Sequence, residues 1–179
     1  MSTAIGLVEL NSISRGIEVC DCMVKAAQVQ LLRGSTVCPG KYLVLISGDT
    51  GAVRASLAEG VKCGGERIVD TLMLPNVHPQ LLEALGKGIR PNAKESIGVL
   101  EFYSVSAAIV AADTAVKAAD VTLINVRLGY AIGGKGYVTL CGDVGSVRAA
   151  VAAASKDKAM LDGVTVIPKP SPEVYRSLL

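Results

Sequence analysis

The chain has 179 residues and a mass of 18.4 kDa, room for one ordinary domain or two compact ones; half of it is apolar, which excludes general disorder. Five Tyr, one Phe and no Trp offer no platform for stacking bases, and a net charge of +2 gives no field to steer polyanions, so nucleic acid is excluded as a partner. No apolar stretch reaches the ~20 residues of a membrane span, and MSTAIGLVEL lacks the basic start of a signal peptide, so the chain is expected in the cytoplasm without a membrane partner.

In chain order, AIGLVEL has strand character, and Ser12 then offers an N-cap oxygen to a helix. That helix carries Ile13, Ile17, Cys20, Val24 and Ala27 at a spacing that predicts one buried stripe. QVQLLRGSTV and KYLVLISG read as an extended hairpin around the loop CPG. GDTGAVRASLAEGVK opens on Asp49, a plausible cap, and continues as Ala-rich helix. A strand in ERIVDTLML and a short helix near Pro79 follow. The same order then returns: SIGVLEF, a helix behind Ser104, the hairpin of VTLINVRLGYAI and KGYVTLCG around GG, a helix behind Asp143, a strand in VTVIP, and a helix near Pro172.

That return is a duplication. At an offset of 92, residues 5–32 match 97–124 at 13 of 28 positions; at an offset of 94, residues 40–54 match 134–148 at 8 of 15. Domains are therefore expected at 1–88 and 96–179 with a linker at 89–95, in and after the polar, Gly- and Pro-containing stretch 86–94. Each is a βαββαβα unit of the α+β class, a ferredoxin-like variant with helices packed on a sheet. Small helical residues bury little area each, so further burial in an assembly is expected.

Five cysteines, Cys20, Cys22, Cys38, Cys63 and Cys141, come without CxxC spacing, and His78 is the only histidine. Neither a disulfide framework, nor a closed metal site within one chain, nor His-dependent catalysis is expected. Cys20 and Cys22 point to different faces of a helix and, with Cys63 and Cys141, read as core fillers. Glu9 and Glu101 recur at the end of the first strand of each repeat, which points to a structural hydrogen bond rather than acid–base work. Gly133-Gly134-Lys135-Gly136 is not a phosphate loop, because no helix with a Lys-Ser/Thr start follows. His78, in the turn before a helix, suits a capping or edge-contact role.

AIGLVEL, ADTAVKAADV, GYAIGGKGYVTLCGDVGSVRAAVAAA and VIPKPSPEV together resemble the bacterial microcompartment shell domain, across essentially the whole chain. Two such domains in direct order resemble the tandem shell proteins, which implies a homotrimer imitating a flat hexagonal tile, joined to other shell proteins. The resemblance implies a pore lined by Cys38, Pro39, Gly40 and Lys41 from one loop and Ile132, Gly133, Gly134, Lys135 and Gly136 from the other. It assigns Lys25 and Lys117, in D-x-x-x-K-A-A, to the tile edge, flanked by Asn76 and His78 in the first repeat and Lys169 in the second.

The first loop, C-P-G-K, is similar to that of the cluster-binding branch of the family. The resemblance makes Cys38 the metal ligand, three copies of which would hold one 4Fe-4S cluster per trimer. An electron conduit across the shell, serving an encapsulated redox enzyme, would follow. Lys41 and Lys135 would offset the cluster's charge if their ammonium groups turn inward, or else face solvent and tune which ions approach. A tile with an open pore for small polar metabolites, and a small α+β ligand-binding or enzymatic trimer, stand as alternatives.

Overall fold

A computed structural model describes residues 3–86, 88 and 95–178; all but the last residue of the expected linker at 89–95 lie outside them. Contacts divide the chain into a unit ending at Val77 and a unit running from His78 to Leu179. Strands β1 (Thr3–Leu10), β2 (Gln30–Val37), β3 (Lys41–Asp49) and β4 (Ile68–Leu74) form the sheet of the first unit, in the order β2-β3-β1-β4. Helices α1 (Ile13–Ala26) and α2 (Thr50–Gly64) cover it. The core joins Ala4, Val8, Val44 and Ile46 of the sheet to Val19, Met23, Val53 and Leu57 of the helices.

The second unit repeats this with β5 (Ser96–Phe102), β6 (Thr122–Leu128), β7 (Gly136–Gly142) and β8 (Leu161–Ile167), ordered β6-β7-β5-β8, and α4 (Val105–Ala118) and α5 (Val144–Ala154). Every strand pairing in both sheets is antiparallel. The four expected caps are present: Ser12 accepts from Arg15 N, Asp49 from Gly51 N, Ser104 from Ala107 N, and Asp143 from Gly145 N and Ser146 N. Each satisfies a backbone donor that the first helical turn leaves open.

Helix α3 (Pro79–Gly86) belongs by sequence to the first repeat, yet it packs on β6 and α4 of the second unit. Its equivalent at the end of the second repeat, α6 (Pro172–Ser177), buries only Tyr175.

Two expectations need correction. The stripe Ile13-Ile17-Cys20-Val24-Ala27 is not the buried face of α1: Ile13, Ile17 and Val24 are exposed, while Gly16, Val19 and Met23 are buried. The helix carries two apolar stripes, and the sheet takes the one containing Gly16, where a Cβ would come within 2.4 Å of Tyr42. The second hairpin is also shorter than expected. Strand β6 stops at Leu128, because Gly129, Ala131, Gly133 and Gly134 all take positive φ and turn the chain.

Candidate functional site

The tip of the first hairpin is set by strand register. Val37 pairs with Lys41, which leaves Cys38, Pro39 and Gly40 as a three-residue loop. Buried Val37 anchors one side. Gly40 turns the chain at φ +82°, a conformation other residues rarely adopt, and a Cβ there would meet no atom within 4 Å, so the loop is open on that side. Cys38 is half-buried with a free thiol.

Lys41, next along, places Nζ 2.5 Å from Oε1 of Glu9, an ion pair whose angles fall short of a hydrogen bond. Glu9 is almost fully buried, so a counter-charge is needed there. The second unit repeats the device. Lys135 donates to Glu101 at 2.8 Å and to Asp162 at 2.5 Å, with its ammonium 5.4 Å from the Tyr103 ring centroid. The hydrogen bonds that Lys135 donates to Asp162 and then to Glu101 push its pKa up. Lys135, followed by the Tyr103 hydroxyl, holds the Asp162 carboxyl below its ordinary range.

The duplicated glutamates thus have their structural partners, and both lysines are committed to carboxylates of their own unit. Neither arrangement expected for the lysines, inward toward a cluster or outward to solvent, describes them. The recurrence was in the sequence, with Glu9 and Lys41 returning as Glu101 and Lys135, but their pairing was not.

The second loop is wider. Gly129 N donates to Lys135 O at 2.8 Å and closes a turn that holds Ile132, Gly133 and Gly134. Tyr130 stands 72% exposed in this turn, a residue the sequence reading passed over although it is one of only six aromatic side chains. Gly136 has a different surrounding from the rest of its loop. It is a strand residue, and a Cβ on it would lie 2.6 Å from that of Ala108 on α4.

Among the described residues, no three His, Cys, Asp or Glu side chains gather within one chain to hold a metal. Cys38 can supply one thiolate from an open loop whose neighbouring lysine is already neutralised. That donor fits a site shared between chains, since soft thiolate sulfur is the usual ligand of iron–sulfur clusters.

Two of the expected edge residues, Lys117 and His78, meet through Asp113 at the start of α3 in the second unit. Lys117 bonds Asp113 one turn earlier on α4, and the other carboxylate oxygen of Asp113 accepts from His78 N at 2.7 Å. His78 Nδ1 accepts from Gln80 N at 3.3 Å, which caps α3. Gln80 then grips the edge of β6 with both ends of its amide: Nε2 donates to Val121 O at 3.3 Å, and Oε1 accepts from Leu123 N at 3.1 Å. In the first unit, Lys25 bonds Asp21 at 2.6 Å, and both side chains are exposed. Asn76 takes a left-handed φ of 54° just ahead of this junction, and Lys169 is exposed after β8.

A model of the BMC domain matches residues 4–77 and 96–170. The chain is 43% identical to the bacterial microcompartment shell protein PduT of Citrobacter freundii, over 100% of this chain and 99% of that one. A crystal structure of a microcompartment protein from Desulfitobacterium hafniense superposes with a TM-score of 0.93 at 47% identity, covering 97% of this chain and 98% of that one. Carboxysome shell protein CsoS1 of Prochlorococcus marinus is 36% identical over 92 residues, 49% of this chain and 88% of its own length.

Proposed function

Because this chain belongs to the bacterial microcompartment shell-protein family and carries two BMC domains in tandem, we propose that three copies close head to tail into a pseudohexameric tile. One Cys38 from each copy then meets the others at the central pore around a 4Fe-4S cluster. The family's role is structural rather than catalytic, and it places the chain in the shell of a bacterial microcompartment, among other shell proteins.

The carrying observation is an asymmetry between equivalent surfaces. Leu123 on β6 is fully buried, whereas its counterpart Leu31 on β2 is 42% exposed. On the helices, Val105 and Ile109 are fully buried and Val116 nearly so, whereas Ile13, Ile17 and Val24 are 41%, 56% and 41% exposed. Part of the cover on the second unit is α3. The equivalent helix, α6, covers no strand or helix of its own chain to a comparable extent among the described residues.

If α6 of one chain lies on β2 of the next, it repeats the fit of α3 on β6. Val174 would follow Leu81 against the strand, Glu173 would follow Gln80 and accept from Leu31 N, and Ser171 N would follow His78 N onto Asp21. Donor and acceptor surfaces of this kind differ, so the interface is heterologous, and heterologous interfaces form rings when the rotation closes. Six domains around an axis need three chains of two.

In that ring, Cys38 of each chain would ligate the cluster, with Gly40 leaving room on the open side of the loop. When bound, a 4Fe-4S cluster supplies a one-electron carrier, which makes an electron conduit to an encapsulated redox enzyme the role. Glu9 holds Lys41 away from that duty, so the pore loop contributes thiolate charge with little local compensation. The edge residues Lys25 and Lys117 would meet neighbouring tiles, and replacing them with Ala should weaken the extended sheets that electron microscopy sees at high concentration.

Iron and acid-labile sulfide, measured on protein purified without oxygen, test the cluster. Four of each per three chains are expected in the parent, with visible absorbance, and none in Cys38→Ser. A parent free of iron and sulfide overturns the cluster and leaves a tile whose open pore passes small polar metabolites.

A further inference from the structure

The pore loop uses one of five cysteines, and two of the others meet. Cys22 on α1 and Cys63 near the end of α2 bring their Sγ atoms to 2.8 Å, although 41 positions separate them in the chain. We infer that Cys22 and Cys63 are a modification site: a dithiol that closes to an intrachain disulfide on exposure to hydroperoxides, tying α1 to α2.

Two features favour reaction over inert packing. Both residues are only half-buried, so a small peroxide can reach them. At 100° per residue, Cys22 lies on the side of α1 opposite Ile13, Ile17 and Val24, the residues that the proposed ring would cover. The second repeat makes the pairing specific to the first unit: its equivalent positions are Thr114 and Asp157. There α4, α5 and the segment after α5 instead border an open cavity of about 340 Å³, with Thr114 and Asp157 in its wall.

The chemistry divides the roles. The hydrogen bond with Cys22, ahead of burial, pushes the Cys63 thiol up to about 11, so Cys63 keeps its proton at neutral pH beside the Cys22 sulfur. Thiolate, not thiol, is the nucleophile. Cys22 sulfur attacks the outer oxygen of a hydroperoxide, the O–O bond breaks, an alcohol or water leaves, and Cys22 becomes a sulfenic acid. The Cys63 proton passes to the departing hydroxyl as the Cys63 sulfur, taking on thiolate character in that transfer, attacks the Cys22 sulfur; the S–OH bond breaks and water leaves. The dithiol gives up two electrons and two protons, and the peroxide takes both pairs. An external dithiol reverses the step by exchange.

The inference stands apart from the cluster, because Cys38 takes no part. Thiols are counted by alkylation under denaturing conditions, before and after brief treatment with hydrogen peroxide. The parent and Cys38→Ser should each lose two alkylatable thiols and regain both with dithiothreitol, and a non-reduced digest should contain one peptide pair joined through Cys22 and Cys63. Cys22→Ser should lose none, Cys63→Ser should lose only one, held as the Cys22 sulfenic acid and regained with dithiothreitol, and neither should yield the joined peptide pair. The oxidised parent should melt roughly 5–10 °C higher, since the bond closes a long loop. All thiols still alkylatable after peroxide, oxygen added to Cys22 with Cys63 untouched, or bonds between chains would overturn the inference.

Discussion

Ile17 and Ile109 occupy the same helical position in the two repeats, yet Ile109 is fully buried and Ile17 is 56% exposed. The difference lies in the cover each helix receives, since both are isoleucines in the same fold. Ile17→Glu should therefore leave the far-UV circular dichroism of the chain intact and shift light scattering from three chains to one. Ile109→Glu, which strands a charge in an apolar core, should fail to fold. An Ile17→Glu protein that still runs as a trimer contradicts the proposed interface.

The grip of Gln80 on β6 makes a finer prediction about the junction between chains. Glu173 has the acceptor of that amide but not its donor. Glu173→Ala should weaken the trimer by about 1.5–3 kcal/mol per junction, the range for a hydrogen bond to a charged group, and Glu173→Gln should restore most of it. Dissociation on dilution, followed by light scattering, measures both. Equal midpoints for all three proteins would place α6 elsewhere.

A stability prediction comes from the contact of α1 with β3 in the first unit and of α4 with β7 in the second. Gly16 receives the Tyr42 ring in the first unit; at the same place in the second, Ala108 meets Gly136. The bulk sits on the strand in one repeat and on the helix in the other. Gly16→Ala or Gly136→Ala overfills the contact and should cost about 1–3 kcal/mol in urea unfolding. Gly16→Ala combined with Tyr42→Gly copies the second unit and should recover part of that loss.

The Lys135 cluster sets a pH window. Asp162 has a depressed folded pKa, so its contribution is full above the ordinary carboxylate value of about 4 and is lost as pH falls through the folded value. Lys135 has a raised one, so its contribution holds below the ordinary lysine value of about 10 and is lost above it. The melting-temperature gap between the parent and Asp162→Asn should be flat between those limits and close at lower pH. A gap that persists unchanged to pH 2 would contradict the pairing.

Much of the fold was legible because it is written twice. Ser12 with Ser104 and Asp49 with Asp143 marked the helix starts, and the paired glycines marked the hairpins. What escaped was decided by contacts that periodicity does not encode. Two apolar stripes share α1, and only the close approach at Gly16 chooses between them. The ends of Lys41 and Lys135 were settled by Glu9 and Glu101, whose recurrence was visible but whose partners were not. The meeting of Cys22 and Cys63 depends on how α1 lies against α2, and the docking of α3 outside its own repeat left no mark in the duplicated pattern.

Native mass spectrometry at moderate ionic strength most directly tests the head-to-tail closure on which the shared Cys38 site depends. The predicted species carries three chains of 18.4 kDa each, with any bound iron and sulfide added to that mass. A particle of one chain, or of two, would contradict it.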